Sequence, residues 1–385
     1  MSKQNAIGLD VNFLTRVAED PSPYQRMKLA TELASFVANK DNPEPERAAV
    51  LPVLLKLAED EAISVRRAIA QELELASFVP PDVAFAIAAD EDDIALPFLV
   101  ACPGLTDGTL VAIARIGDDR RLCAIARRAN LPRHALAVLI KFGSPVVCKE
   151  LLGNAAISIP IEGYRIIMSR FAAVTSVCEA MRRRRDLPVE MRVKLAQINN
   201  DRVKVVLAKQ GWVENDRLDE LVSEAEDHSF LQIAHGLSGE DLEAMVRYLT
   251  VNRLVTGSLI CRAICHGEMS FVTEALAQLA GMPNRHVADV IATRNEVGLK
   301  VVCEHAGLPQ PCVDLLQLAT ENDSGQVKDV DPASFAREIV DLLIQNSAGR
   351  SELDISGLLS LIGAYGPDEI KAVTDGLLAS TPRAA

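Results

Sequence analysis

A chain of 385 residues with 49% hydrophobic and 24% charged side chains has the composition of a folded globular protein, with room for two or three domains or one long repeat array. Its formal net charge of −13, from 53 acidic and 40 basic residues, works against non-specific attraction to a phosphate backbone. Aromatic residues make up only 4%, with a single Trp212, so the core must be filled by Ala, Leu, Val and Ile, a filling suited to stacked helices.

The N-terminal MSKQNAIGLDVNFL lacks a charged segment followed by a long apolar run and a small-residue cleavage site. No stretch of about eighteen apolar residues follows anywhere, so no membrane span is expected and the expected compartment is the cytoplasm. Residues 18–33, AEDPSPYQRMKLATEL, then recur as AEDEAISVRRAIAQEL at 58–73, an offset of 40 that suits a two-helix repeat. Within the second copy, Val50, Leu51, Val53, Leu54, Leu55 and Leu57 give one apolar helix. Glu59-Asp60-Glu61 makes the turn, and Val65, Ala68, Ile69, Leu73 and Leu75 continue on a second helix.

LPVLLKLAEDEAISVRRAIAQEL at 51–73 resembles a HEAT repeat, with its Leu-Pro, its leucine-rich first helix, an Asp in the turn and Val-Arg beyond it. That resemblance implies a ladder between neighbouring units, formed here by Asp20 with Arg26 and Asp60 with Arg66. Later pairs are shorter: Val83–Ala89 with Leu96–Ala101, Leu110–Ile116 with Leu122–Ala129, and Ala135–Phe142 with Val146–Leu152. In these the ladder arginine is lost, and Tyr164–Cys178 and Val189–Leu207 are expected to complete the stack.

From Ser223 the texture changes. Leu242–Leu249, Leu254–Cys265 and Met269–Leu279 are predicted helices, and Ala280-Gly281-Met282-Pro283 is echoed by Ala306-Gly307-Leu308-Pro309, 26 residues on. In each echo Gly ends one helix and Pro opens the next. The segment at 277–319, together with AEDPSPYQRMKLATELA, is similar to the uncharacterised alphaproteobacterial DUF2336 family. The resemblance covers roughly residues 10–320 and implies helical repeats, with no activity or catalytic residue to carry over. A polar linker at 321–332 leads to a small tail with predicted helices Phe335–Gln345, Ile355–Leu361 and Ile370–Leu378. The expected organisation is all-α: a HEAT-like α-solenoid at 1–210, a second helical repeat region at 211–320, the linker, and a helical tail at 333–385.

The strongest charge feature is Arg182-Arg183-Arg184-Arg185; with Arg192, Lys194, Arg202, Lys204 and Lys209, residues 181–209 carry a net charge of +6. This is a candidate partner-binding face, centred on Arg182–Arg185, Arg192 and Lys194, set against the plainer reading of solvated cations near a helix end. The pairs Arg66-Arg67, Arg120-Arg121 and Arg127-Arg128 could line a groove, as in HEAT-like proteins that bind DNA, but base extrusion also needs a carboxylate and aromatics, and aromatics are scarce in this chain. Cys261, Cys265, His266, Cys303 and His305 resemble metal ligands only loosely, and buried structural cysteines are the plainer reading for all eight thiols. His134 is read as a helix-start residue beside Pro132 in preference to a phosphotransfer histidine, and no P-loop, GxSxG or HExxH occurs.

The expectation is therefore a non-enzymatic scaffold that binds another protein, without cofactor or metal and without a membrane anchor. One alternative is nucleic-acid binding through 181–209, which the overall charge disfavours; another is homo-oligomerisation through the tail.

Overall fold

The computed structural model describes residues 10–211, 214–322, 331–346 and 354–380. Among them every regular element is a helix, and the chain divides into two compact units, Met1–Leu187 and Pro188–Ala385.

The first unit is built of six helix pairs: α1 (Val11–Ala18) with α2 (Pro23–Ala38), α3 (Glu44–Ala58) with α4 (Ile63–Leu73), and α5 (Pro81–Ala88) with α6 (Asp92–Ala101). Three more follow: α7 (Asp107–Ile116) with α8 (Asp119–Ala126), α9 (Arg133–Phe142) with α10 (Pro145–Gly153), and α11 (Ile161–Phe171) with α12 (Thr175–Arg182). Odd-numbered helices pack on odd and even on even along the stack, which makes two layers with one core between them, as in an α-solenoid. Apolar residues at helical spacing point into that core: Val50, Leu54 and Leu57 from α3, and Val65, Ile69 and Leu73 from α4, are all almost fully buried. The expected single helix at Tyr164–Cys178 is instead two, α11 and α12, parted at residues 172–174 so that each joins its own layer.

Arginine ties the pairs together. Arg26 donates to both carboxylate oxygens of Asp60, at 2.6 and 2.9 Å, and to the Asp20 carbonyl at 2.7 Å. Arg66 repeats this one pair on, reaching Asp90 at 2.9 Å and the Asp60 carbonyl at 2.8 Å. Beyond that point the arginines change target rather than disappear. Arg128, just past α8, donates to the Leu99 and Cys102 carbonyls at the end of α6, at 2.5 and 2.7 Å. The Asn154 amide, just past α10, binds the Ala126 and Arg128 carbonyls at the end of α8. Arg184, just past α12, binds the Leu152, Asn154 and Ile157 carbonyls at and beyond the end of α10. In the other layer Arg170 of α11 holds Ile140 and Gly143 at the end of α9. These clamps satisfy carbonyls at helix ends that have no internal partner, and the arginine ones also set a cation at the negative end of the dipole.

The second unit opens with the long hairpin α13 (Val189–Gln210) and α14 (Asn215–Ala234). It continues through α15 (Glu240–Val251), α16 (Gly257–Cys265), α17 (Met269–Ala280), α18 (Asn284–Ala292), α19 (Glu296–Ala306) and α20 (Gln310–Asn322). It ends with α21 (Pro332–Asn346), α22 (Ile355–Tyr365) and α23 (Asp368–Ser380). The unit boundary lies at Leu187-Pro188, not near 210, because α13 is one continuous helix whose Val189 and Val193 enter the core of the second unit. That core surrounds α16, which is buried on all sides from Leu259 to Cys265 and packs on α14, α17, α20, α21 and α22. Phe335, Ile339, Leu359, Ile362 and Ile370 of the tail belong to the same core, so the tail docks within this unit. Most of the linker expected at 321–332 lies outside the described residues.

A repeat shorter than the AGxP echo organises α15 to α19. Each ends in a left-handed residue, at Arg253, Gly267, Gly281, Arg294 and Gly307. Each also has the next residue's N–H bonded back to the fifth residue before it, as Met282 is to Ala277 and Leu308 to Cys303. This is the Schellman cap, here recurring once per helix. Arginine fills two of the five positions, which hides the period from a search for glycine.

Two stability measurements follow from these caps. Arg128→Met keeps the apolar stem but leaves two carbonyls unpaired, so urea unfolding should show a loss of about 2–3 kcal/mol, the usual worth of charged hydrogen bonds in a buried setting. Arg253→Gly removes a left-handed backbone penalty at an exposed site and should gain up to about 1 kcal/mol in the same assay.

Candidate functional site

The arginine run at 182–185 lies where α12 ends. Arg184 turns inward: its side chain is 6% exposed, and besides the carbonyl clamp it donates to the Tyr164 hydroxyl at 2.6 Å and pairs with Asp186 at 2.8 Å. Tyr164 is fully buried on α11, and its hydroxyl bonds the Asp186 carboxylate at 2.9 Å. Burial pushes the Tyr164 pKa well above its ordinary value, and the hydrogen bond from Arg184 holds Asp186 below the usual carboxylate range. Of the four arginines expected as a partner-binding set, Arg184 is thus committed to the fold, while Arg182, Arg183 and Arg185 are exposed. Arg192 and Lys194 lie on α13, in the second unit, the first half-buried and the second exposed.

Beside Arg184 a recess of about 830 Å³ opens between the segment after α10 and the end of α12. Leu152, Ile157 and Ala180 give it apolar lining, and Lys149, Arg183 and Arg185 give it positive charge. Asp186, its one acidic lining residue, is already neutralised by Arg184. The Arg184 clamp therefore shapes the wall of a basic recess in a chain that is acidic overall.

The three arginine pairs divide in the same way, one residue working inward and one facing out. Arg66, Arg121 and Arg128 bond to turns and helix ends, Arg121 through the Ala88 and Asp90 carbonyls, both at 2.6 Å. Arg67, Arg120 and Arg127 are exposed; Arg120 pairs with Asp92, and Arg127 with Glu150 at 2.8 Å.

In the second unit, three helices bring together polar groups that composition and spacing did not single out. Arg262, the one charged residue of the apolar α16, is 3% exposed. Its Nη1 lies 3.0 Å from His228 Nε2, its Nε lies 4.0 Å from the buried Asp227 carboxylate, and its guanidinium stacks 5.6 Å above the Tyr365 ring. His266, at the end of α16, meets His228 edge to face at 5.8 Å. Arg262 Nε and His266 Nε2 are buried with no hydrogen-bond partner among the described residues. Burial, with His228 and Arg262 alongside, holds the His266 pKa down to about 4, and burial lowers that of His228 too. Burial raises that of Asp227. The signal in the sequence was a lone arginine in GSLICRAIC, since a charge surrounded by apolar neighbours must find a partner when its helix is buried.

The cysteines lie in the cores. Cys261 and Cys312 bring their sulfurs to 2.7 Å, whereas His305 is exposed and bonds its own helix at Val301. Burial pushes the Cys265 thiol up to about 12 and the Cys303 thiol to about 11. Among the described residues no group of three or more His, Cys, Asp or Glu is placed to hold a metal ion. His134 stands at the start of α9, largely exposed, with Nδ1 2.6 Å from Asp107. Among the described residues no helix is long and apolar enough to cross a membrane.

These features define an all-α protein of stacked helix pairs tied by arginine and left-handed caps. The chain belongs to the family described as uncharacterised proteins conserved in bacteria, DUF2336, whose model matches residues 94–352. The match runs from α6 to beyond α21, so it starts later and ends later than the span of about 10–320 expected from the sequence, and it leaves out the two Arg–Asp pairs that look most like HEAT repeats. No curated protein matches the chain. Among solved structures, an engineered protein from the Northeast Structural Genomics Consortium aligns over 97% of this chain and 95% of its own, at 15% identity and a TM-score of 0.22, a value at which two backbones need not share a topology.

The neutral histidines give a pH test. A His whose folded pKa of about 4 lies below its ordinary 6.5 favours folding fully above pH 6.5, and that contribution is lost as pH falls from 6.5 towards 4. The urea midpoint should fall over this window, and less steeply in His266→Gln. The comparison isolates the histidine from Asp227, whose raised pKa acts in the opposite sense.

Proposed function

We propose that this protein is a non-enzymatic scaffold that holds an acidic segment of another protein in the basic recess at the end of its first unit. One observation carries the reading: Lys149, Arg183 and Arg185 gather around an apolar-lined recess in a chain whose net charge is −13. A recess with apolar lining and a charged rim suits an extended acidic peptide, since the lining takes side chains and the rim takes carboxylates. The wall is set by Arg184, whose five hydrogen-bonded groups leave it no capacity for a ligand but fix the backbone from which its neighbours project. A regular stack also favours scaffolding, because each pair rests on its neighbours and offers a long continuous surface.

Nucleic acid fits this recess less well. The positive charge that lines it comes from a few residues, and the chain as a whole carries a net charge of −13, which repels a phosphate backbone. A cytoplasmic setting suits eight cysteines that are all buried and in no disulfide.

Changing Lys149, Arg183 and Arg185 together to Glu should abolish capture of specific partners from native lysate, with helicity unchanged by circular dichroism. Arg184→Lys should weaken capture and also lower stability. A partner set unaltered by the triple change, in a folded protein, would refute the reading.

A further inference from the structure

We infer that Cys261 and Cys312 form a reversible oxidation site, where a peroxide converts two thiols into a disulfide that ties α16 to α20. The two residues stand 51 positions apart in the chain, yet the packing of α16 on α20 brings their sulfurs to 2.7 Å. A disulfide bond is about 2.05 Å long, so the sulfurs need only a small further approach, which side-chain rotation can supply. Both thiols are free and lie in the core of the second unit.

Position assigns the two roles. Cys261 is in the middle of α16, which is buried on all sides. Cys312 lies in the first turn of α20, directly after the exposed Gln310 and Pro311, and is the nearer of the two to solvent. Its sulfur accepts the hydrogen bond from the Cys261 thiol, which holds the Cys312 pKa below the ordinary thiol value; the same bond, with burial, raises that of Cys261. The positive end of the α20 dipole also favours a thiolate at Cys312. Cys265 and Cys303 share this core, but burial raises both of their thiols, so they are the weaker nucleophiles.

The step balances with hydrogen peroxide as oxidant. The Cys312 thiolate attacks one peroxide oxygen, the O–O bond breaks, the departing hydroxide takes a proton to leave as water, and Cys312 becomes a sulfenic acid. The Cys261 sulfur then attacks the Cys312 sulfur, the S–O bond breaks, and the departing hydroxide takes the Cys261 proton as a second water. Two thiols are oxidised and one peroxide is reduced to two waters; a thiol reductant reverses the outcome. The bond fastens α16, around which the core of the second unit is built, to α20, and closes a long loop that restricts the unfolded chain. In a reducing compartment both thiols stay free until peroxide appears, the usual behaviour of a redox-sensing pair.

The full chain, reduced and then freed of reductant, should lose two of its eight thiols to hydrogen peroxide in the folded state, and dithiothreitol should restore them. Peptide mapping without reductant should find Cys261 joined to Cys312, and the oxidised protein should unfold at a higher urea concentration than the reduced one. Dimedone, which traps sulfenic acids, should label Cys312 in Cys261→Ala and leave Cys261 unlabelled in Cys312→Ala. Eight thiols that survive peroxide, a disulfide between other cysteines, or an unchanged urea midpoint after oxidation would each overturn the proposal. So would dimedone on Cys261 in Cys312→Ala with none on Cys312 in Cys261→Ala.

Discussion

Short helices have a problem at their ends. An α-helix leaves its last four carbonyls without internal partners however long it is, so in a helix of eight to twelve residues those orphans are a third or more of the whole. Most helices of this chain fall in that range. Stacked pairs bury many of these ends, where an unpaired carbonyl is costly, so the fold depends on supplying donors there. The two units solve it differently. The first uses side chains from a later layer neighbour, above all Arg128, Asn154, Arg170 and Arg184. The second turns the backbone back on itself through left-handed caps at Arg253, Gly267, Gly281, Arg294 and Gly307. The first solution is long-range and ties one pair to the next; the second is local and lets each helix end without help.

This division shapes what is left for function. An arginine spent on carbonyls has no donor for a ligand, so the density of arginine in the first unit overstates its basic surface. Arg184 shows the point: it sits in the middle of the most basic run of the chain, yet it is inside, holding Tyr164, Asp186 and three backbone carbonyls. What it provides is indirect. By fixing the segment after α10 it shapes the recess from which Lys149, Arg183 and Arg185 project. The same pattern at Arg66-Arg67, Arg120-Arg121 and Arg127-Arg128 makes each doublet a structural residue with an exposed neighbour.

The second unit places its risk in the core instead. Arg262 and Asp227 are buried together without a direct hydrogen bond, and two histidines stay neutral beside them. Breaking such a cluster by removing one member would strand another buried charge, whereas an apolar replacement of the whole could be tolerated. Its arrangement fixes the relation of α14, α16 and α22, since Asp227 and His228, Arg262, and Tyr365 come from those three helices in turn.

The sequence by itself determined the all-helical class and the positions of most helices, because these rest on local periodicity, turn residues and an offset visible in one chain; it paired Asp20 with Arg26 and Asp60 with Arg66, whereas each arginine side chain reaches the carboxylate one pair on, Arg26 that of Asp60 and Arg66 that of Asp90. It also showed the glycines of the AGxP caps, since a left-handed residue prefers Gly. It did not show that Arg253 and Arg294 fill the same position, for there the backbone bond defines the cap and the side chain does not. Nor did it show the break between α11 and α12, where Phe171-Ala172-Ala173-Val174 holds no helix-stopping residue and layer packing imposes the division. The fate of each arginine was likewise a tertiary decision. Whether a guanidinium meets a carboxylate, a carbonyl or water depends on which helix end lies within its reach, and that is set by residues some 20 to 35 positions away in the chain.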